Sequence, residues 1–328
     1  MIDTEIFNIQ SPQQFKNIAL KIFKYQAQNN EVYRRYLSLL KVNPSEITEL
    51  TQIPFLPISF FKYHKIITGS HKITQAVFKS SGTSTSVRSH HFVTDLKLYE
   101  NSFINGFNHF FGDFSGYCFL ALLPSYLEQG NSSLVYMINH FIKHSRCKDS
   151  GFYLYDFEKL KNKIEKLTTE GKKTILFGVS YALMDFAGYC NFSSTDNLYV
   201  FETGGMKGRR KELPKEELHA ILKKGFGVNT IFSEYGMTEL LSQAYSKGQG
   251  LYSPVPWMKV LIRDRYDPFS YLPPGRIGGI NIIDLANINS CSFIETEDLG
   301  RKHPNGQFEI LGRFDTVDIR GCNLMIGE

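Results

Sequence analysis

The sequence predicts an α/β protein in which a parallel sheet is flanked by helices and followed by a smaller β-rich section. Apolar segments of strand length alternate with amphipathic segments of helix length through the middle of the chain. Strands that are apolar along their whole length are typical of parallel sheets, because both faces of such a sheet are buried. Beyond Tyr252 the pattern changes to short alternating strands with proline and glycine turns, which favours an antiparallel or barrel-like section. We therefore expect an α/β region over residues 1–250 and a β-rich section over 251–328.

The N-terminal region predicts two helices and an extended segment. Ser11 can cap a helix, Pro12 suits its first turn, and Gln14 completes a capping box, after which apolar residues recur at helical spacing. A second, shorter helix is expected over residues 33–40. Two prolines interrupt residues 53–57, and each removes a backbone donor and restricts the residue before it. This segment is therefore predicted to be an extended strap over the core.

The remaining elements are predicted from runs of apolar residues and from helical periodicity. Buried strands are expected at residues 117–123 and 174–179, and further strands at residues 75–78, 198–201 and 230–232. Helices are expected at residues 156–170, 181–188 and 214–224. The shorter strands of the last section are expected at residues 260–263, 280–284 and 308–311.

Composition and charge exclude several classes of protein. The chain has 328 residues and a formal net charge of +5, and its densest basic cluster, residues 207–211, is interpreted as a solvated surface turn. No nucleic-acid-binding signature is present. No apolar run approaches the ~18 residues of a membrane span, and the N-terminus lacks the pattern of a signal peptide, so we expect a cytoplasmic protein. The five cysteines are odd in number and contain no Cys-x-x-Cys pair, which argues against a disulfide framework and a zinc site.

A loop rich in hydroxyl groups follows the first predicted strand and surrounds a single glycine. Backbone N–H groups and Ser/Thr hydroxyls can bind an anion, and an arginine adds a planar charged fork, so a triphosphate is the natural ligand. The loop is not a Walker motif. Taken alone, the same composition is also typical of a flexible surface loop. The candidate residues are Ser80, Ser81, Gly82, Thr83, Ser84 and Arg88.

Residues 234–239 form a second polar segment directly after a predicted strand. This position is the carboxyl edge of the sheet, where α/β proteins bind ligands. There Tyr235 could stack on a nucleobase, Thr238 could bind phosphate, and Glu239 could hold Mg²⁺. A strand-to-helix turn with a polar cap is the alternative interpretation of the same residues.

Two more polar segments lie near the C-terminus. Residues 295–300 place a carboxylate beside a turn, where it could bind the two hydroxyls of a ribose. Residues 312–321 alternate charges between two glycines, a pattern that by itself is typical of an exposed hairpin.

The order and spacing of the four segments resemble those of the adenylate-forming superfamily, which includes acyl-CoA synthetases, peptide-synthetase adenylation domains and firefly luciferase. The hydroxyl-rich loop resembles the family's phosphate loop, with Arg88 where the family has lysine. Tyr235, Gly236, Thr238 and Glu239 match the family's Tyr-Gly-x-Thr-Glu motif at each defining position. The resemblance therefore implies that these residues bind ATP and that Glu239 holds Mg²⁺.

The later segments extend the resemblance to the end of the chain. Asp298 matches the family's ribose-binding aspartate, although Glu297 replaces the usual glycine, and Arg313 matches the arginine of the hinge. Gly204 and Gly205 fall where the family has a glycine pair beside adenine. The resemblance thus implies the large domain of an adenylate-forming ligase.

A narrower resemblance, carried by residues 55–62 and 123–128, is to the acyl-protein synthetases of bacterial bioluminescence, which act with a fatty-acid reductase. Most of the superfamily continues past the hinge for roughly another hundred residues, as a lid of small-domain size. The acyl-protein synthetases end soon after the hinge, so the resemblance implies that this chain lacks the lid domain. In that family a cysteine close to the C-terminus accepts the acyl group as a thioester, and Cys322 occupies the matching place.

The resemblance implies ATP-dependent activation of a fatty or related carboxylic acid to acyl-AMP, followed by transfer to a protein thiol. Arg88 and Glu239 with its Mg²⁺ would stabilise charge at phosphorus, and Cys322 would attack the mixed anhydride. The implied partners are a fatty acyl substrate and an acceptor protein such as a reductase or carrier protein. Two alternatives remain: an acyl- or aryl-CoA ligase, which differs in its acceptor, and a non-catalytic nucleotide- or acyl-binding subunit of a larger complex.

Overall fold

The computed structural model describes residues 5–69, 73–80, 87–123, 131–190, 192, 195–204 and 213–314. Its helices are α1 (Pro12–Asn29), α2 (Glu31–Leu39), α3 (Phe60–Tyr63), α4 (Leu96–Phe111), α5 (Ser133–His144), α6 (Phe157–Thr169), α7 (Ser180–Tyr189) and α8 (Lys215–Phe226). Its strands are β1 (Leu56–Pro57), β2 (Ala76–Lys79), β3 (His90–Val93), β4 (Cys118–Leu122), β5 (Gly151–Phe152), β6 (Thr174–Val179), β7 (Leu198–Thr203), β8 (Ile231–Tyr235), β9 (Ala244–Ser246), β10 (Tyr252–Pro254), β11 (Met258–Arg263), β12 (Ile277–Asp284), β13 (Phe293–Lys302) and β14 (Phe308–Arg313). Across the described ranges, each helix is too short or too polar to cross a lipid bilayer.

One large sheet organises the described residues. Its strand order is β11-β12-β13-β14-β10-β9-β8-β7-β6-β4-β5, and β1 adds to β13. Strands β4 to β8 pair in parallel with one another, and β8 to β14 pair antiparallel with one another. Strand β1 pairs in parallel with β13. Strands β2 and β3 form a separate antiparallel pair. The predicted α/β fold, in which helices flank a large sheet that contains parallel strands, is therefore confirmed.

The parallel strands form where the sequence is continuously apolar. Every residue of β4 and of β6 is buried, because helices cover the sheet. Helix α6 illustrates the covering layer: it buries Leu160, Ile164 and Leu167, which share one face at helical spacing. Asp156 caps this helix by accepting a hydrogen bond from the backbone N–H of Lys159.

The N-terminal helices begin at capping side chains. Ser11 accepts a hydrogen bond from the N–H of Gln14, as predicted, but Gln14 accepts from the N–H of Gln10 instead of completing a capping box. Helix α2 begins at Glu31 rather than near residue 33, because the side chain of Asn30 caps it by accepting from Tyr33. The predicted strap is extended at β1, which pairs in parallel with β13.

Two strands extend further than their apolar residues predict. Strand β7 continues to Thr203 and β8 to Tyr235, although 201 and 232 are the last residues of the predicted strands. The added residues include Glu202, Ser233 and Glu234, which are polar yet buried. Their hydrogen bonds to one another and to Thr203 satisfy them inside the protein, so the strands do not end at the first polar residue.

A disulfide bond joins Cys118, at the start of β4, to Cys147, in the loop after α5, across a Cα–Cα distance of 5.1 Å. The prediction that the chain lacks a disulfide framework did not anticipate this single bond. An odd number of cysteines excludes only complete pairing, and two others, Cys190 and Cys291, are buried and free.

Candidate functional site

A cavity of about 320 Å³ lies at the carboxyl edge of the parallel strands, and all four polar segments contribute to its wall. Ser80 and Ser89 line it from the two described ends of the hydroxyl-rich loop. Residues 236–239 line it from the end of β8, while Glu297 and Arg313 line it from β13 and β14. Segments that are far apart in the sequence therefore meet in one cavity, as the carboxyl edge of an α/β sheet predicts.

Asp298 is held from two sides beside this cavity. The hydroxyl of Tyr235 donates to its Oδ2 at 2.8 Å, and Nε of Arg313 lies 3.5 Å from its Oδ1. Burial raises the pKa of Asp298, and the contacts with Tyr235 and Arg313 partly offset that rise. Tyr235 itself is buried, with its ring edge-on to Tyr252 and Phe308. The hydroxyl of Tyr235 thus orients Asp298 beside the cavity, and stacking of its ring on a nucleobase stays a prediction.

Glu239 lies in the cavity wall with only 5% of its surface exposed. Burial raises the pKa of its carboxyl group, and hydrogen bonds from Ser89 and from its own backbone partly offset that rise. No group of three or more metal-ligating side chains occurs in the described parts of the chain. Mg²⁺ in nucleotide sites is commonly held by one or two carboxylates together with phosphate oxygens, so a single Glu239 fits a cation that is shared with a polyphosphate.

Two buried side chains support the segment that carries Thr238 and Glu239. Nδ1 of His91 lies 2.8 Å from the carbonyl oxygen of Thr238, so this nitrogen carries the proton. Burial lowers the pKa of His91 to about 4, which keeps the ring neutral. Asn287 donates to the carbonyl oxygen of Glu239 at 2.7 Å. Sequence patterns did not identify either support, because both act across contacts distant in the chain.

Of the remaining candidate residues, the structure describes Arg88 and Gly204, and the others lie outside the described residues. Arg88 is half-buried and lies between two lining residues, Val87 and Ser89, without itself lining the cavity. Gly204 lines the cavity at the end of β7, with a positive φ of 67°, and the hydroxyl oxygen of Ser180 lies 3.0 Å from its carbonyl oxygen. The candidates outside the described residues are Ser81, Gly82, Thr83, Ser84, Gly205 and Cys322.

Glu234, the first residue of the second polar segment, also lines the cavity, although the sequence patterns assign it no role. Its side chain is buried, and the hydroxyl of Thr203 donates to its Oε2 at 2.6 Å. Burial, together with the charge of Glu202, raises the pKa of Glu234 to about 7. Nearby Gln243 also lines the cavity and leaves its buried Oε1 without a hydrogen-bond partner. This part of the wall can therefore change its charge near neutral pH and can accept a hydrogen bond.

A second buried carboxylate, Glu202, lies one residue before the cavity-lining Thr203. Its carboxylate pairs with Lys215 at the start of α8 and accepts a hydrogen bond from Ser233 at 2.5 Å. His219 Nε2 lies 3.4 Å away. Burial alone would raise the pKa of Glu202, but Lys215 and these hydrogen bonds bring it down to about 2. Glu202 thus stays ionised and anchors α8 to the strand edge beside Gly204.

The chain matches proteins of one family over most of its length. A family model described as acyl-protein synthetase, LuxE, matches residues 4–104 and 125–328. The long-chain-fatty-acid–luciferin-component ligase of Aliivibrio fischeri is 22% identical over 337 residues, which covers 93% of this chain and 86% of that protein.

Solved structures of two ligases share the fold. A 2-hydroxyisobutyryl-CoA ligase in complex with 2-HIB-AMP has a TM-score of 0.65 at 14% identity, covering 94% of this chain and 69% of that one. O-succinylbenzoate coenzyme A synthetase (MenE) from Bacillus subtilis, in complex with ATP and a magnesium ion, has a TM-score of 0.52 at 15% identity and covers 74% of this chain. This chain spans about half the length of the ATP-bound ligases that it matches, 49% and 51% in two of them.

Proposed function

Because the chain belongs to the acyl-protein synthetase family LuxE, we propose that it uses ATP to convert a fatty acid into an acyl-adenylate and then transfers the acyl group to a protein thiol. One observation carries this proposal: members of all four motif segments line a single cavity at the carboxyl edge of the sheet.

In the first half-reaction, a carboxylate oxygen of the acid attacks the α-phosphorus of ATP. The bond from that phosphorus to the bridging oxygen of the β-phosphate breaks, and pyrophosphate leaves with the electron pair. The hydroxyls of Ser80, Ser89 and Thr238, which line the cavity, would hold phosphate oxygens. Asp298, which accepts a hydrogen bond from Tyr235, would accept the ribose hydroxyls. Glu239 would hold Mg²⁺, which would supply positive charge against the charge that develops on the phosphate oxygens.

In the second half-reaction, we assign the acyl acceptor to Cys322 on the basis of its place in the family pattern. Its thiolate would attack the carbonyl carbon of the mixed anhydride, and the bond from that carbon to the phosphate oxygen would break, releasing AMP. The product is a thioester, which a reductase or carrier protein would then consume. Attack by coenzyme A on the same adenylate would instead define a CoA ligase.

Acid-dependent exchange of radioactive pyrophosphate into ATP tests the first half-reaction. We expect exchange with at least one acid from a panel that runs from acetate to tetradecanoate and benzoate, and we expect it to require a divalent cation. If no acid supports exchange, even with a candidate acceptor protein present, the proposed enzymatic activity is refuted. Adding coenzyme A and analysing the products distinguishes protein-bound thioester from acyl-CoA.

A further inference from the structure

Lys62 contributes a positive charge to the cavity from a part of the chain that belongs to none of the four motif segments. It lies in the short helix α3 and lines the cavity together with Ser80, Glu239 and Arg313. Its Nζ is 3.7 Å from Oε1 of Glu297, which is longer than a hydrogen bond, and a third of its side chain is exposed. The ammonium group is thus close to the site and retains donors for a ligand.

The fold holds α3 between the second and third motif segments. On one side, the N–H of Ile58 donates to the carbonyl oxygen of Glu295 at 2.9 Å, which extends the pairing of β1 with β13. On the other side, the buried ring of Phe61 packs edge-on against His91, with ring centroids 5.7 Å apart. His91 in turn contacts Thr238. Contacts on both sides of α3 therefore hold the backbone of Lys62 in place beside the cavity wall.

A cation in the cavity wall is needed to bind a triphosphate, because the wall already carries several carboxylates. Among the described lining residues, the carboxylates are Glu234, Glu239 and Glu297, whereas the cations are Lys62 and Arg313. Arg313 also contacts Asp298. A triphosphate adds further negative charge, and the departure of pyrophosphate concentrates it on the leaving group, so fixed positive groups lower the barrier.

We propose that Lys62 is a catalytic residue that donates hydrogen bonds to the β- and γ-phosphates of ATP and stabilises pyrophosphate as it leaves. The role rests on the proposed function, because it concerns the adenylation step. While the bond between the α-phosphorus and the bridging oxygen breaks, the ammonium group keeps its proton and neutralises charge on the departing pyrophosphate. The second half-reaction involves no pyrophosphate, so Lys62 has no part in it.

The test compares Lys62→Met with the matched control Lys65→Met. Lys65 is exposed, lies three residues away and extends over the ring of Phe92, 5.3 Å from its centroid. With an acid that supports the wild type, we expect Lys62→Met to lower the rate of pyrophosphate exchange at least ~100-fold, the size expected for loss of a fixed charge in a transition state. Transfer of the acyl group from added tetradecanoyl-AMP should stay within about two-fold of the wild type, and Lys65→Met should be normal in both assays.

Equilibrium binding provides a measurement that does not depend on turnover. We expect Lys62→Met to weaken binding of the unreactive analogue α,β-methylene-ATP by roughly ten-fold or more, the size of a hydrogen bond to a charged group, and to leave AMP binding unchanged. Lys62→Arg, which keeps the charge, should recover part of the exchange rate and of the analogue affinity.

The possible outcomes distinguish this proposal from the one on which it rests. If the wild type exchanges pyrophosphate and Lys62→Met matches it in exchange and analogue binding, the role of Lys62 is refuted and the ligase activity stands. Equal losses of affinity for AMP and the analogue would also refute it, because a general disturbance of the cavity would then explain the effect. If the wild type exchanges pyrophosphate with no acid, both proposals fail.

Discussion

Replacing Glu234 with glutamine tests the electrostatics of the inner cavity wall. Glutamine has nearly the same shape, and its amide oxygen can still accept the hydrogen bond that Thr203 donates to the carboxylate. What the change removes is a titratable group whose pKa is raised to about 7, mainly by burial and secondarily by Glu202. The effect on stability should therefore depend on pH.

The size of the effect follows from the difference between the folded and unfolded pKa values. A rise in the pKa of Glu234 from the 4.5 that is usual for a glutamate to about 7 means that the folded protein holds a proton that the unfolded chain releases between these pH values. Stability therefore falls as pH rises through this window, and at about 1.4 kcal/mol per pH unit the total reaches roughly 3 kcal/mol. We expect Glu234→Gln to match the wild type near pH 4.5 and to exceed its unfolding free energy by up to about 3 kcal/mol at pH 8.

Urea unfolding of both proteins between pH 4.5 and pH 8.5 measures this difference directly. The exposed Glu216, replaced by glutamine, serves as the control, and its effect should stay within about 0.5 kcal/mol over the same range. If Glu234→Gln lowers stability by a constant amount at every pH, hydrogen bonds offset the whole cost of burying the ionised carboxylate. The predicted pH dependence is then wrong.

The remaining predictions concern three other positions. Glu239→Gln should lower pyrophosphate exchange at least ~100-fold with a nearly unchanged melting temperature, whereas a large fall in melting temperature with activity per folded molecule retained would give Glu239 a structural role. A Cβ at Gly236 would lie 2.5 Å from Oε1 of Glu234, so Gly236→Ala should lower the unfolding free energy by about 1–3 kcal/mol. The second substitution Glu234→Ala should restore most of this loss, and a double variant that recovers no stability would contradict the steric cause. Cys322→Ser should keep pyrophosphate exchange but lose hydroxylamine-labile acyl labelling, whereas the control Cys190→Ser should retain both. Labelling of Cys322→Ser at the wild-type level would remove Cys322 from the mechanism.

The cavity could be anticipated from sequence as far as its residues belong to contiguous motifs. Gly236, Thr238 and Glu239 lie together in the chain, and the strand before them is apolar enough to predict, so their place at the sheet edge follows. Asp298 could be recognised in the same way. The hydrogen bond from the hydroxyl of Tyr235 to Asp298 could not be predicted, because a sequence pattern does not tell which way a buried side chain points.

Residues whose roles depend on contacts between distant segments could not be predicted. Glu202 and Glu234 resemble ordinary polar strand ends in sequence, and only the fold supplies the Lys215 and Thr203 that make their burial tolerable. Lys62 follows residues 53–57, whose prolines predict an extended backbone. Its approach to Glu297 depends on the pairing of β1 with β13, which no local pattern encodes.

The contacts of the N-terminal helices also constrain the order in which the protein can fold. Nε2 of Gln26 in α1 donates to the carbonyl oxygens of Asn287, Ile288 and Ser290, positions about 260 residues later in the chain. During synthesis the first helices therefore emerge long before the residues that hold them exist. Contacts between residues so far apart in sequence slow folding, and the apolar faces of the early helices stay exposed until the later residues are synthesised. The cavity, which needs both β1 and β13, can be completed only after the ribosome has passed the strands that close it.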